Sequence, residues 1–308
     1  MLQQTTVGVV VPFYERFLAR FPTVDALAAA SQEAVLAAWA GLGYYARARN
    51  LHAAAHAIAA AGGFPRTAAG LARLPGVGAY TAAAVAAIGF GEAAVPLDAN
   101  ATRVLARLFA IDATPAVTRS ALAGPAAILA VEAAAEARNG DFAQALFDLG
   151  SALCTPGEPD CAACPWRADC AAHLQGIAAG LPRRAPKPER PWRYGASFWL
   201  TDGHAVLLRR RPPAGLLGGM RELPGTGWRP APWAEAEALT VAPMPAQWRK
   251  AGTIRHGFTH FRLEITVYAA TVRRIEGEGL RQPLAALGAA ALPSVMRKCA
   301  ALAQKPPR

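Results

Sequence analysis

The sequence predicts a mainly α-helical N-terminal domain and an α+β C-terminal domain. Residues 1–173 carry apolar side chains at helical spacing, as in residues 7–18, and turns rich in proline and glycine separate these helical segments. Beyond residue 193 the pattern becomes strand-like alternation, as in residues 263–268. The basic, proline-rich stretch between the two favours an extended connector. We therefore expect domains at 1–173 and 194–304 and a linker at 174–193.

Composition limits what the chain can do. The 308 residues carry a net charge of +11 and a pI near 10.0, which favours a polyanionic partner such as nucleic acid. Hydrophobic residues make up 53% of the sequence, and much of this excess is alanine, which favours helices. No uncharged apolar run reaches the ~18 residues that a membrane span needs. The composition argues against a membrane protein.

Four of the five cysteines lie within one turn-rich loop. Cys154, Cys161, Cys164 and Cys170 follow the spacing C-x6-C-x2-C-x5-C, with proline and glycine between them. Thiolates this close in sequence suit a tetrahedral sulfur site, which holds either zinc or an iron–sulfur cluster. Structural thiols and disulfides are the alternatives. Cys299 stands apart in an apolar helical stretch, and we expect it to be a buried core thiol.

A Leu-Pro-Gly-Val-Gly string at 74–78 stands between two helical patterns. This is the helix–hairpin–helix pattern, in which Gly76 and Gly78 allow positive φ and the next helix presents free N–H groups at its start. Such a turn can hold a DNA phosphate without contacting a base. An ordinary glycine-rich connection between helices is the alternative interpretation.

Asp98 follows a short apolar segment and precedes a helical pattern at 101–108. It could simply cap that helix. It could instead hold a carboxylate near a reacting sugar, where it would stabilise an oxocarbenium-like transition state. The local sequence leaves both possibilities open.

Together, the hairpin, Asp98 and the cysteine spacing resemble the endonuclease III superfamily of base-excision DNA glycosylases. Three segments are similar to its MutY branch, the adenine DNA glycosylases: Met-Leu-Gln-Gln-Thr at 1–5, Gly-Leu-Gly-Tyr-Tyr-Ala-Arg-Ala-Arg-Asn at 41–50 and Phe-Ala-Gln-Ala-Leu-Phe-Asp-Leu-Gly at 142–150. The resemblance implies a helix–hairpin–helix glycosylase domain with an iron–sulfur loop at 154–170. It also makes the four loop cysteines ligands of a [4Fe–4S] cluster.

The resemblance assigns further roles. Asp98 would be the catalytic aspartate that stabilises the sugar cation. Tyr80 stands where lyase relatives carry a Schiff-base lysine, so a monofunctional glycosylase is expected, and it would lie against the flipped adenine. Gln144 would contact the edge of that adenine. Gln4 and Tyr44 would wedge into the DNA stack, although taken alone they could be a solvated helix residue and a core ring.

Three positions depart from the family. Ala99 replaces the usual glycine after the catalytic aspartate, and Ala143 replaces the usual asparagine before the adenine-contacting glutamine. The general-acid glutamate of the family would fall before Met1, and neither Glu15 nor Glu33 is at a motif position that could replace it. Because losing a general acid costs about 10²–10⁴-fold in rate, we expect this chain to turn over poorly. Met1 would then be an internal methionine of a longer reading frame or the start of a truncated lesion-binding protein.

The segment at 209–224 resembles the Nudix-like C-terminal domain of MutY proteins. It lacks the Glu-rich helix of active Nudix hydrolases, so we expect no magnesium site for pyrophosphate hydrolysis. The resemblance makes Phe258, Thr259 and His260 the residues that contact 8-oxoguanine. The family has serine at the middle position, and threonine keeps the hydroxyl group. A plain surface histidine is the alternative for His260.

The expected function is excision of adenine from A:8-oxoguanine or A:G mispairs in double-stranded DNA, by base flipping and hydrolysis of the N-glycosidic bond. The expected cofactor is a [4Fe–4S] cluster. We expect a monomer in the cytoplasm, associated with the nucleoid and not with a membrane. The competing hypotheses are a bifunctional glycosylase/lyase, a non-catalytic lesion-binding protein and a Nudix-type nucleotide hydrolase.

Overall fold

The computed structural model describes residues 1–2, 5–183, 189–213 and 215–305, without the side chains of Ala116 and Ala135. The helices are α1 (Val7–Arg20), α2 (Val24–Ala29), α3 (Gln32–Trp39), α4 (Ala46–Ala60), α5 (Ala68–Leu71), α6 (Ala79–Phe90), α7 (Ala99–Leu108), α8 (Pro115–Ala121), α9 (Ala123–Ala135), α10 (Asn139–Ala152), α11 (Ala171–Leu174), α12 (Glu235–Leu239) and α13 (Ser294–Ala303). The strands are β1 (Trp192–Thr201), β2 (Ala205–Arg210), β3 (Arg221–Glu222), β4 (Arg249–Gly257), β5 (Arg262–Thr271) and β6 (Leu280–Pro283).

This order of elements confirms the predicted fold class, helical first and α+β afterwards. The chain forms two compact units, Met1–His56 with Pro188–Arg308, and Ala57–Lys187. Compactness does not define a functional domain, so the predicted boundaries at 173 and 194 stay a prediction. In the part of the chain that the structure describes, no helix is long and apolar enough to cross a membrane.

In the unit Ala57–Lys187, α10 packs against both α6 and α7. Its backbone approaches α7 so closely at Gly150 that an added Cβ would lie 2.7 Å from Cβ of Asn100. Leu105 and Leu146 are buried where these helices meet. Glycine at the contacts thus lets α6, α7 and α10 pack closely. Tyr80 lies in the first turn of α6, and Asp98 directly precedes α7.

The other unit is built on a mixed sheet with the strand order β3-β2-β1-β5-β4, and β6 also pairs with β2. β1 and β5 are parallel, whereas the other pairs are antiparallel. On one face Phe198 stacks on Tyr268 under α12. α13 packs against β4 and β5 and carries Cys299, which is fully buried as predicted. Burial raises the pKa of the Cys299 thiol to about 12.

The segment that resembles a Nudix motif, residues 209–224, includes the end of β2 and strand β3, and it forms no helix among its described residues. Its Glu222 is 3% exposed. The carboxylate of Glu222 accepts hydrogen bonds from Arg209 at 2.7 Å and from Arg211 at 2.5 Å. Because both of its oxygens accept hydrogen bonds from guanidinium groups, this carboxylate stabilises the folded structure and is poorly placed to bind a metal ion.

Candidate active site and nucleic-acid interface

The turn before α6 has the geometry of a hairpin. Val77 donates its backbone N–H to Leu74 O at 3.1 Å, and Gly76 takes a φ of +73°, which favours glycine. Gly78 is the exposed N-cap of α6 and has nothing within 4 Å of the place where a Cβ would stand. The turn therefore presents its backbone and the start of α6 to solvent, in the form that a phosphate group can approach.

Asp98 is the N-cap of α7. Its Oδ1 accepts a hydrogen bond from Ala101 N at 2.7 Å, and the side chain is half-buried. The capping interpretation of the sequence is therefore correct. It is compatible with a catalytic role, because a cap engages one carboxylate oxygen and fixes the direction of the group.

Tyr80 lies in the first turn of α6. Its ring packs edge-on against Phe147 of α10, with the centroids 6.1 Å apart. Burial raises the pKa of the Tyr80 phenol, and the negative charge of Asp98 raises it further. The structure thus brings the phenol and the carboxylate into the same electrostatic neighbourhood, which their separation in the sequence did not reveal.

Gln144 is on α10, one turn before Phe147. Its side chain is exposed, and its Nε2 donates to Gly140 O at 3.1 Å. The neighbouring Ala143 is completely buried. An asparagine at position 143 would need space and polar partners there, so alanine suits the packing of α10.

Sequence reasoning missed two buried arginines on α7. Arg103 is 7% exposed and donates to Cys154 O at 2.7 Å, Gly150 O at 2.6 Å and Asn100 Oδ1 at 3.0 Å. It joins the helix that begins at Asp98 to the first cysteine of the loop. The available signal was the spacing of the two arginines, four residues apart around the apolar residues 104–106, because such a pair lies on one face of a helix.

Arg107, the second of the pair, connects several segments of the cysteine loop. It donates from Nη1 to Cys154 Sγ at 3.2 Å and to Thr155 O at 2.9 Å, and from Nε to Leu181 O at 3.0 Å. Leu181 falls inside the predicted linker at 174–193, and its side chain is buried. The first part of that stretch therefore packs beside the loop.

All four loop cysteines line one small cavity, together with Arg107, Arg167 and His173. Among the described residues, no three His, Cys, Asp or Glu side chains converge closely enough to hold a single metal ion. Four thiols around a common space, with a guanidinium donating to one sulfur, form a donor set that fits an anionic iron–sulfur cluster.

In the unit that holds the sheet, Tyr44 is 49% exposed, so the alternative of a core ring is wrong. The residue takes a φ of +47° after Gly41 and Gly43, which also have positive φ. The guanidinium of Arg47 lies 5.5 Å from the ring centroid. A turn that is unfavourable for a large side chain thus holds an aromatic ring at the surface. Gln4, the other predicted wedge, lies outside the described residues.

The predicted recognition residues occupy the turn between β4 and β5. Phe258 donates its N–H to Phe261 O at 2.9 Å and packs among Trp228, Phe261 and His256, with centroids 5.7, 4.8 and 4.8 Å away. Thr259 and His260 are exposed at its tip. The turn therefore has an aromatic anchor and a polar tip.

A hydrogen bond connects this turn to the surface tyrosine. Thr259 Oγ1 donates to Tyr44 Oη at 3.4 Å. Two residues that the sequence places 215 positions apart, one predicted as a wedge and one as a reader of the opposite base, are therefore neighbours.

Two protein-family models match the chain: the HhH-GPD superfamily of base excision DNA repair proteins over residues 1–125, and the NUDIX domain over residues 196–302. Adenine DNA glycosylase of Homo sapiens is 36% identical over 325 residues, which cover 87% of this chain and 59% of the relative. The chain is related to the MutY-type adenine DNA glycosylases. The resemblance that the sequence motifs indicated is confirmed.

Adenine DNA glycosylase of Arabidopsis thaliana is 40% identical over 258 residues, covering 73% of this chain and 41% of the relative. The chain thus spans about three fifths or less of the length of these two relatives. Among solved structures, a thermostable thymine-DNA glycosylase is 26% identical with a TM-score of 0.47, covering 56% of this chain and 80% of that one.

Proposed function

We propose that the chain acts as an adenine DNA glycosylase on double-stranded DNA in which adenine stands opposite 8-oxoguanine or guanine. The observation that carries this proposal is that Tyr80, directly after the exposed hairpin turn, and Asp98, the N-cap of α7, lie close enough for the Asp98 charge to act on the Tyr80 phenol. The phosphate backbone at a flipped nucleotide would contact the hairpin turn, and the sugar of that nucleotide would lie near the Asp98 carboxylate.

The chemistry needs one bond broken and one formed. The bond between C1′ and N9 of adenine breaks, adenine leaves with a proton, and water adds to C1′. The sugar passes through an oxocarbenium-like state, which the Asp98 carboxylate stabilises at short range. The cap bond to Ala101 N keeps the carboxylate aligned during this step.

Tyr80 limits the chemistry to hydrolysis. A phenol cannot form the Schiff base that a lysine forms with the sugar, so the abasic strand stays intact. Its raised pKa keeps the phenol protonated at neutral pH, and a neutral O–H can donate to the Asp98 carboxylate or to adenine. Gln144, exposed on the helix that carries Phe147, offers an amide to the edge of adenine.

The turn between β4 and β5 would read the opposite base. 8-Oxoguanine differs from guanine by an oxygen on C8 and a hydrogen on N7, so a hydroxyl group can accept from the new N–H. Thr259 supplies that hydroxyl, and His260 stands beside it at the exposed tip. The aromatic anchor of Phe258 limits the motion of both.

The loop cysteines Cys154, Cys161, Cys164 and Cys170 would hold a [4Fe–4S] cluster. When bound, such a cluster would link the four cysteines of the loop, and Arg107 and Arg167, which line the same cavity, would offset its negative charge. Four irons per chain, with the visible absorption of an iron–sulfur protein, would support this assignment. A colourless protein with one zinc per chain would overturn it.

The experiment that tests the function measures binding and products on the same duplexes. Anisotropy titrations with A:8-oxoguanine, A:G and A:T pairs should rank the affinities in that order. Binding is the first readout and adenine release the second. Equal affinity for all three duplexes would contradict the proposal, and strand nicking without added base would favour the bifunctional alternative.

A further inference from the structure

One exposed surface of the sheet combines arginines with a tryptophan. Arg255 on β4 and Arg262 on β5 place their guanidinium carbons 5.5 and 5.6 Å from the ring centroid of Trp192 on β1. We call these three residues the Trp192 patch. Trp192 pairs with Arg262, and Arg255 pairs with Glu264, so all of them lie on the same face of the sheet.

Helix α12 covers one end of this face of the sheet, and the Trp192 end is exposed to solvent. Further along the strands Ala196, Phe198 and Tyr268 are buried under Ala238 of α12. At the Trp192 end, the side chain of Arg255 is 74% exposed, and Arg262 is also exposed. The patch is therefore available to a partner.

The patch has a net positive charge. Glu264 pairs with Arg255 at 2.8 Å and offsets one of its two cations. Since both guanidinium groups lie over one ring, they are within about 11 Å of each other, close to the Debye length of ~10 Å at 0.1 M salt. An aromatic ring beneath a guanidinium group orients its N–H donors outward, in the fork geometry that matches a phosphate.

The position of the patch relates it to the candidate recognition turn. Gly257, the last residue of β4, pairs with Arg262, and Phe258 follows it directly. Arg262 of the patch directly follows Phe261, which closes this turn, so the patch lies beside the turn that carries Thr259 and His260. Successive residues of a strand are about 3.3 Å apart, so a nucleic-acid strand that meets the turn can also reach the arginines.

We propose that the Trp192 patch binds the phosphate backbone of the strand that carries 8-oxoguanine, next to the lesion. The proposal rests on the proposed function for the identity of that strand. The patch contacts phosphates and not bases, so it contributes affinity and register without discriminating between base pairs.

The test compares two double variants. R255Q/R262Q removes both cations of the patch, and R273Q/R274Q removes two exposed arginines just beyond the other end of β5. Each phosphate contact contributes about 0.9 to the slope of log affinity against log salt. Because Glu264 offsets one of the two cations, we expect the patch variant to lose between about 0.9 and 1.8 of that slope, so that the drop in affinity between 50 and 200 mM salt shrinks by about 3- to 12-fold. The control pair should keep the parent slope.

Two further readouts keep the outcomes separate. R255K/R262K retains the charges and should restore most of the slope, whereas a Lys pair that behaves like the Gln pair would indicate a structural role and overturn the proposal. The ratio of affinities for A:8-oxoguanine and A:T duplexes should not change in the patch variant. If the parent protein shows no such preference, the proposed function fails, while the slope on the A:T duplex still tests the patch. A parent-like slope in R255Q/R262Q would contradict the proposal that the Trp192 patch binds phosphates.

Discussion

Arg107 donates a hydrogen bond from Nη1 to Cys154 Sγ at 3.2 Å, from a side chain that is only 1% exposed. Its other acceptors are backbone carbonyl oxygens of Thr155, Gly157 and Leu181. A buried cation is costly unless a negative group is near, and neutral carbonyls compensate it only in part. The proposed cluster would supply the missing negative charge through a thiolate at Cys154, so that the arginine and the loaded loop would stabilise each other.

Arg107→Met should therefore destabilise the protein and weaken cofactor retention together. The variant keeps the length of the side chain but leaves the carbonyls and the sulfur without their donor, which costs about 3 kcal/mol in the free energy of unfolding. Urea unfolding and iron content per chain measure the two effects. Arg138→Met, which removes an exposed pair with Asp141, should change stability by no more than about 0.5 kcal/mol. Unchanged iron content and stability in the Arg107 variant would refute this role.

Glu33 on α3 should make the stability of the sheet-containing unit sensitive to acid. Burial opposes its ionisation, but Arg221 and Arg210 outweigh burial and lower the pKa of Glu33. A lowered folded pKa gives stability that is present above the unfolded value of 4.5 and is lost as pH falls through the folded value.

Glu33→Gln should remove that part of the acid dependence. At neutral pH the variant should lose about 1 kcal/mol or less, because the pair is partly exposed. Thermal unfolding from pH 7 to pH 3 measures it, and Glu15→Gln on the exposed side of α1 is the matched control. If both variants give the parent curve, the ion pairs do not contribute.

Thr259→Val should reduce discrimination between 8-oxoguanine and guanine with little effect on folding. The change keeps the shape and removes the hydroxyl, so the loss should be about tenfold in the ratio of affinities for A:8-oxoguanine and A:G duplexes. Its bond to Tyr44 is long and exposed, so stability should change by less than about 0.5 kcal/mol. Thr253→Val, exposed on β4, controls for the added methyl group. An unchanged ratio would remove Thr259 from the recognition of the lesion.

The sequence predicted the local structure well where one pattern controls it. Helical spacing and the Pro-Gly turn located α1 and the hairpin before α6, and alternation located β5. It did not predict β4, which has no fully buried residue and alternates only between half-buried and exposed positions. Nor could it predict that β1 and β5 pair in parallel, since pairing between distant strands depends on contacts that no local pattern records.

Motif spacing identified the candidate residues but not how they are held. Asp98 and Tyr80 were recognisable, yet their proximity depends on the packing of α6, α7 and α10. Arg103 and Arg107 have no motif of their own and become important only because they are buried. A charged residue in an apolar helix usually lies at the surface, so composition alone gave no reason to select them.

The central claim is that the Asp98 carboxylate stabilises a positively charged sugar, and one binding measurement tests it without requiring turnover. A duplex with a cationic pyrrolidine nucleotide opposite 8-oxoguanine is compared with the same duplex holding a neutral tetrahydrofuran nucleotide. A carboxylate matched to the transition state should favour the cation by about 100-fold or more. Asp98→Asn keeps an N-cap on α7 and should bring the ratio close to one. Equal affinity for both duplexes, or a preference that survives in Asp98→Asn, would contradict the account.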